Sequence, residues 1–153
     1  MHLLKIKWLF ISLLCTWNAQ GQRLSGNWQG QITMQGFQGY FNYALQMEEN
    51  EDGTLNGTSL SMLSDSSIQV RFQLTGRREG QQVVLQELRQ ISAPPPEWCL
   101  KYSKLNLIER NDSLLLVGEW SGGDCAPGKG YLYQIPAFTQ VEKTQWLPFS
   151  KIG

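Results

Sequence analysis

The chain has 153 residues, of which 13 are basic and 13 are acidic, so its formal net charge is zero. No basic cluster exceeds the pair Arg77–Arg78, which argues against nucleic acid or an anionic membrane surface as a partner. The single histidine, His2, stands in a segment that we expect to be removed. Without it, the common Ser-His and Cys-His nucleophile pairs and most zinc sites are excluded from the mature chain.

Residues 1–21 have the pattern of a secretory signal peptide. Lys5 and Lys7 precede a short apolar run over 8–15, and small residues spaced for cleavage follow at 18–21. The run is too short to span a bilayer. Two alternatives remain, a buried N-terminal element and a lipid anchor at Cys15, although Leu14 is bulky for the latter. We expect an exported protein that is secreted or located in the periplasm or cell envelope, with one β-barrel domain over 22–153.

Apolar residues then alternate with polar ones, which is typical of half-buried strands. The clearest run is Ile68, Val70, Phe72 and Leu74. Strands are predicted at about 26–35, 41–47, 55–62, 68–75, 81–91, 98–109, 113–120 and 130–135. Short turns at 52–53, 78–80 and 111–112 separate them, and the prolines at 94–96 form a stiff exception.

One strand has an ambiguous phase. Within 81–91, Val84 and Leu88 compete for the inner face with Val83, Leu85 and Glu87, and a helix is a weak alternative there. All connections that can be placed are hairpin-like. The sequence therefore predicts an all-β protein, an antiparallel up-and-down barrel of about eight strands, with a β-sandwich as the alternative.

The opening segment Gly26-Asn27-Trp28 and the later segments 52–58, 74–77, 120–122 and 144–147 resemble the calycin barrels, that is, lipocalins and avidins. The resemblance implies a barrel in which Trp28 closes one end of the core. It also implies that biotin is not the ligand. Gly30, Met34 and Ser59 replace avidin contact residues, whereas Ser61 matches a serine of that family.

The avidin pattern also fails at the end of the chain. No aspartate-bearing strand follows 144–147, because the chain ends at Gly153. Only Trp120 and Trp146 remain as avidin-like pocket aromatics.

Cys99 and Cys125 are the two cysteines left after the leader, and an even pair in an exported protein predicts a disulfide. Closing roughly 27 residues stabilises the fold by about 3.5 kcal/mol on the chain-entropy model. We expect this bond to brace a long glycine-rich loop at 118–130. A reactive thiol pair is the alternative. The glycine and lysine spacing at 123–130 matches that of a phosphate-binding P-loop. However, Gly130 stands where such a loop needs a serine or threonine to bind magnesium, so we do not expect a nucleotide site here.

Aromatic residues on the predicted strands suggest a site for a small apolar or planar molecule, lined by Tyr43, Trp98, Tyr102, Trp120 and Tyr131. No cofactor or metal is expected.

Two other hypotheses stay open. The first is a filled barrel that acts through its outer surface as an interaction or structural module of the cell envelope. The second is an enzyme in which Glu87 and Glu119 form a catalytic carboxylate pair. For Glu87, an internal contact with Arg89 is an alternative role.

Overall fold

A computed structural model describes residues 23–65, 67–92 and 98–136 of the chain. The predicted signal peptide, the proline run at 94–96 and the segment 137–153, including Trp146, lie outside the described residues. No helix within the described ranges is long and apolar enough to cross a membrane.

Eight antiparallel strands form a closed barrel. They are β1 (Gly26–Ile32), β2 (Phe41–Glu49), β3 (Thr54–Leu63), β4 (Gln69–Glu79), β5 (Gln82–Ser92), β6 (Tyr102–Arg110), β7 (Ser113–Gly122) and β8 (Cys125–Gln134). Each strand pairs with the next, and β8 pairs with β1. The predicted all-β up-and-down barrel is therefore confirmed, and the sandwich alternative is wrong. Closure gives each of these eight strands a neighbour on both sides, which reduces the main hazard of an all-β fold.

The predicted turns have the backbone geometry that tight hairpins need. Asn111 and Asp112, between β6 and β7, have φ values of 49° and 62°, and Gly53, between β2 and β3, has a φ of 83°. Such left-handed conformations match the twist of the flanking strands, and Asn, Asp and Gly adopt them most readily. Local sequence thus fixes which strands are neighbours.

Apolar side chains at alternate positions fill one end of the barrel. Trp28 is fully buried, and its indole nitrogen donates to the carbonyl oxygen of Leu24 at 2.9 Å. Around them packs a set of buried side chains from seven strands: Leu45, Met47, Leu55, Leu74, Val83, Leu85, Leu107, Leu116 and Leu132. These side chains are at most 4% exposed, so this end of the barrel is filled by its own core.

Two glycines face each other across β7 and β8, and only one of them is required by the packing of the sheet. At Gly118, which faces Gly130 across the β7–β8 pair, a Cβ atom would collide with the carbonyl oxygen of Lys104 on β6. At Gly130 the nearest atom to such a Cβ would be Cγ2 of Ile32, 3.5 Å away. Gly118 is therefore required by a close backbone approach, whereas Gly130 is not.

The segment 118–130 differs from its prediction as a long loop. Strand β7 continues to Gly122, β8 begins at Cys125, and only a tight turn joins them. The start of β8 finds backbone partners just beyond β1, since Gln35 N–H donates to the carbonyl of Pro127 at 2.8 Å. The predicted disulfide is confirmed, with 6.2 Å between the Cα atoms of Cys99 and Cys125. It ties the first residue of β8 to the segment before β6 instead of bracing a loop.

The phase of β5 is resolved in favour of its odd-numbered residues. Val83, Leu85 and Glu87 are buried, whereas Leu88 is exposed. The β4–β5 pairing is interrupted by register shifts between Arg71 and Phe72 and between Gln73 and Leu74, and the β5–β6 pairing ends at Gln86. Beyond Glu87 the strand therefore leaves the regular barrel wall, and residues that alternation would place inside become exposed.

Candidate functional site

A cavity of about 280 Å³ opens at the end of the barrel opposite Trp28. Its apolar walls are Ile32, Met34, Phe41, Leu63, Trp98, Trp120 and the disulfide of Cys99 and Cys125. The polar side chains in the lining are those of Ser61 and Lys101. An apolar cavity with a few convergent polar groups is the usual form of a small-molecule site.

A carboxylate lies beneath the floor of this cavity and gathers four donors. Glu87 is 2% exposed. Its Oε1 accepts from the Tyr43 hydroxyl at 2.9 Å and from the Ser59 hydroxyl at 2.5 Å. Its Oε2 accepts from both the backbone N–H and the ammonium group of Lys101, at 2.8 and 3.0 Å. A buried carboxylate is tolerated in such a place because every one of these donors compensates its lost hydration.

Lys101 places its ammonium group among aromatic rings. The Nζ atom lies 4.6 Å from the ring centre of Phe72, 5.3 Å from that of Tyr43 and 5.9 Å from that of Trp120. The electron-rich faces of such rings attract a cation, and the attraction is stronger when water is excluded. Lys101 in the floor and Glu87 beneath it thus form an ion pair of zero net charge, with hydroxyls bonded to the carboxylate and aromatic rings around the ammonium group.

Burial shifts the titration of two groups in this network. It raises the pKa of Tyr43 well above its usual value, and the neighbouring Glu87 charge raises it further, so the hydroxyl stays protonated and donates. Burial lowers the pKa of Lys101, while the attraction of Glu87 opposes that shift. The network therefore depends on the 3.0 Å ion pair to keep a charged lysine inside the barrel.

Ser61 has a hydroxyl group without a partner. The residue is 1% exposed, and its Oγ makes no hydrogen bond within the described part of the chain. A buried unpaired hydroxyl is unfavourable unless something else binds it. Ser61 is one of the residues that line the cavity, so its unpaired hydroxyl is a candidate partner for a bound molecule.

Three of the five aromatic residues predicted for the site are at or beneath the cavity. Trp98 and Trp120 line it, and Trp120 is fixed by a 2.9 Å hydrogen bond from its indole nitrogen to the carbonyl of Thr33. Tyr43 lies below, on Glu87. The prediction missed Phe41, whose ring meets that of Trp98 edge-on at 6.0 Å.

Tyr102 and Tyr131 are not brought to this cavity. They are 41% and 48% exposed and lie on the outer face of the barrel. Tyr102 directly precedes the buried Ser103, and Tyr131 directly precedes the buried Leu132. Because successive side chains of a strand point to opposite faces, both tyrosines must point outward.

Lys101 was missed, although the sequence carried a signal for it. Ser103, Leu105 and Leu107 are buried at alternate positions of β6. Extending that alternation by one step backward places Lys101 on the same inner face. Glu87 was already a candidate for the inner face of the adjacent strand, so the two opposite charges could have been paired.

The alternative roles of Glu87 are contradicted. Glu119 lies exposed on the outer face, opposite Lys104 and Lys129 in the register, so it shares no cleft with Glu87. The contact with Arg89 is also wrong, because Arg89 is exposed and its Nε donates to the side chain of Gln73 at 2.8 Å. The bulged β4–β5 pairing carries Arg89 out of the inner face.

The larger depression of the molecule lies outside the barrel. An open groove of about 890 Å³ crosses the outer face of β6 to β8, beside Tyr102, Ile108 and Val117, with the charged residues Lys104 and Glu119. Within residues 23–65, 67–92 and 98–136, no group of three or more His, Cys, Asp or Glu side chains is arranged to hold a metal ion.

Comparisons with known proteins give structural matches alone. No family model and no curated protein matches the chain. A redesigned β-barrel is 12% identical with a TM-score of 0.49, over 74% of this chain and 91% of that one. A biogenic amine-binding protein is 8% identical with a TM-score of 0.49, over 72% of this chain. This chain spans 63% of the length of the latter. The barrel fold rests on the strand pairing of this chain itself, and a relation to lipocalins or avidins stays a prediction.

Proposed function

We propose that this protein is an exported binding protein that holds one small, apolar or planar molecule in the cavity at the open end of its barrel. The observation that carries the proposal is the cavity itself, with aromatic and aliphatic walls and two polar groups on its floor. Ligand sites usually measure about 300–1,000 Å³. A cavity of about 280 Å³ therefore suits a ligand of one or two fused rings.

Export is supported by the sequence and by the disulfide. The leader-like segment 1–21 directs a chain to a secreted, periplasmic or cell-envelope location. The Cys99–Cys125 bond suits an oxidising compartment, since such bonds are rare in reducing ones. A binding role outside the cytoplasm needs no catalytic group, which agrees with a mature chain that has no histidine.

The experiment blocks the cavity and leaves the rest of the barrel unchanged. Leu63 lines the cavity, whereas Leu60 lies on the outer face of the same strand, so Leu63→Trp fills the site and Leu60→Trp is the matched control. Isothermal titration calorimetry of the oxidised protein into 2-acetylnaphthalene and 2-methylnaphthalene measures binding. We expect 2-acetylnaphthalene to bind wild type and Leu60→Trp saturably with 1:1 stoichiometry. Its affinity should be at least tenfold lower in Leu63→Trp. Equal binding by both variants, or no binding by wild type, contradicts the proposal.

A second candidate function rests on the outer groove. Tyr102 and Ile108, which line this groove on the outer face of β6, are 41% and 39% exposed, and exposed apolar surface is typical of protein contacts. On this hypothesis the barrel is an interaction module of the cell envelope. Crosslinking in the native envelope tests it: capture of a partner should be lost in Tyr102→Lys and retained in Leu63→Trp. The reverse pattern would favour the interior site.

A further inference from the structure

We infer that the cavity selects a planar ligand that carries no net charge and presents a hydrogen-bond acceptor, such as a ketone or ring carbonyl, to Lys101 and Ser61. The inference depends on the proposed function, because it specifies the ligand of the same cavity. It adds which charge and which polar group the ligand has.

The floor of the cavity presents donors to a ligand. The carboxylate of Glu87 is absent from the lining, and both of its oxygens are already bonded, by Tyr43 and Ser59 at Oε1 and by Lys101 at Oε2. Among the described residues that line the cavity, the polar ones are Lys101 and Ser61. An ammonium group has three N–H donors and cannot accept, whereas a hydroxyl has one donor and two acceptor lone pairs, so the acceptor preference of the site comes from Lys101. A ligand acceptor therefore finds partners on this floor.

The ammonium group keeps donor capacity beyond its ion pair. One of its bonds goes to Glu87 at 3.0 Å, and its other described neighbours are the faces of Phe72, Tyr43 and Trp120. A ring face is a weaker partner for an N–H than an oxygen lone pair is. A carbonyl oxygen that enters the cavity can thus accept from Lys101 while the Glu87 bond persists.

The neutral ion pair disfavours charged ligands of either sign. A ligand carboxylate would bring a second negative charge beside Glu87 in an apolar cavity, where Lys101 is the one cationic residue among the described lining residues and already pairs with Glu87. A ligand ammonium would meet the ammonium of Lys101 directly, and the carboxylate that could attract it is shielded below the floor. An uncharged acceptor makes the same polar contacts without adding a charge to the buried pair.

Four naphthalene probes of matched shape test the selection in the wild-type protein at neutral pH. They are 2-acetylnaphthalene, 2-methylnaphthalene, naphthalene-2-carboxylate and 2-naphthylmethylammonium, titrated by calorimetry. We expect the ketone to bind at least fivefold more tightly than the hydrocarbon and at least tenfold more tightly than either ion. If an ion binds as tightly as the ketone, or the hydrocarbon equals it, the inference is wrong while the proposed function stands. If no probe binds, the proposed function fails too.

Two serine variants test whether the acceptor of the ligand binds to the hydroxyl of Ser61. Ser61→Ala removes the unpaired hydroxyl from the cavity, and Ser103→Ala is the matched control, a buried serine of β6 that is not part of the lining. Ketone binding should fall about 2- to 10-fold in Ser61→Ala, the range for one hydrogen bond, with hydrocarbon binding unchanged. Ser103→Ala should alter neither. Equal loss of ketone and hydrocarbon binding in Ser61→Ala would show a packing defect and overturn the assignment, as would no loss at all.

Discussion

Replacing Glu87 by glutamine is the sharpest test of the buried network. The change leaves the size of the side chain nearly unaltered but removes the counter-charge of Lys101, 3.0 Å away. It also converts one acceptor oxygen into an NH₂ group. If that group stands at Oε2, it faces the backbone N–H and the ammonium of Lys101. If the amide turns over, the NH₂ group meets the hydroxyls of Tyr43 and Ser59 instead. Neither orientation satisfies all four donors.

Breaking a buried ion pair by removing one partner destabilises a protein by about 3–5 kcal/mol. We therefore expect Glu87→Gln to lower the free energy of unfolding by about 4 kcal/mol, which is a large share of the typical 5–15 kcal/mol for a domain. For a barrel of this size the melting temperature should fall by roughly 12–16 °C.

The assay is urea unfolding at neutral pH, followed by tryptophan fluorescence, together with a thermal melt by circular dichroism. Glu119→Gln is the matched control, the same chemical change at an exposed position on the outer face, and should alter stability by less than about 0.5 kcal/mol. A loss below about 1 kcal/mol in Glu87→Gln, or losses of equal size in the two variants, would show that the Glu87–Lys101 pair does not stabilise this end of the barrel.

Three further outcomes are expected. Reduction of the Cys99–Cys125 disulfide should lower stability by about 3.5 kcal/mol in urea unfolding, and an unchanged midpoint would contradict the bond. Gly118→Ala should destabilise by at least about 2 kcal/mol because its Cβ meets a carbonyl oxygen of β6, whereas Gly130→Ala should cost less than about 1 kcal/mol; equal effects would contradict the close approach. Above pH 10 the folded chain keeps the proton of Tyr43, whose pKa is raised, while the unfolded chain releases it. Stability should thus fall with rising pH by up to about 1.4 kcal/mol per unit from this group, a share that Tyr43→Phe removes; parallel pH curves for the two proteins would contradict it.

The candidate site was predictable in part, and its residues show why. Trp98 and Trp120 reached the cavity because aromatic side chains on the inner face of a barrel have few other places to pack. Tyr102 and Tyr131 lie on the outer face instead, because their buried neighbours Ser103 and Leu132 fix the phase of their strands, and aromatic character alone does not reveal that phase. Lys101 was overlooked because a charged residue is normally assigned to the surface, and only an opposite charge on the adjacent strand makes its burial tolerable.

The amino-acid sequence by itself determined the class of fold, the neighbouring strands and the cross-link, since these follow from two-residue alternation, local turn conformations and a single remaining pair of cysteines. Tertiary structure decided what those features build. The bulged pairing of β4 with β5 turned Arg89 outward, and barrel closure brought Glu87 and Lys101 together beneath an open cavity. These outcomes depend on register and curvature, which arise when strands distant in sequence pack, so no local pattern contains them.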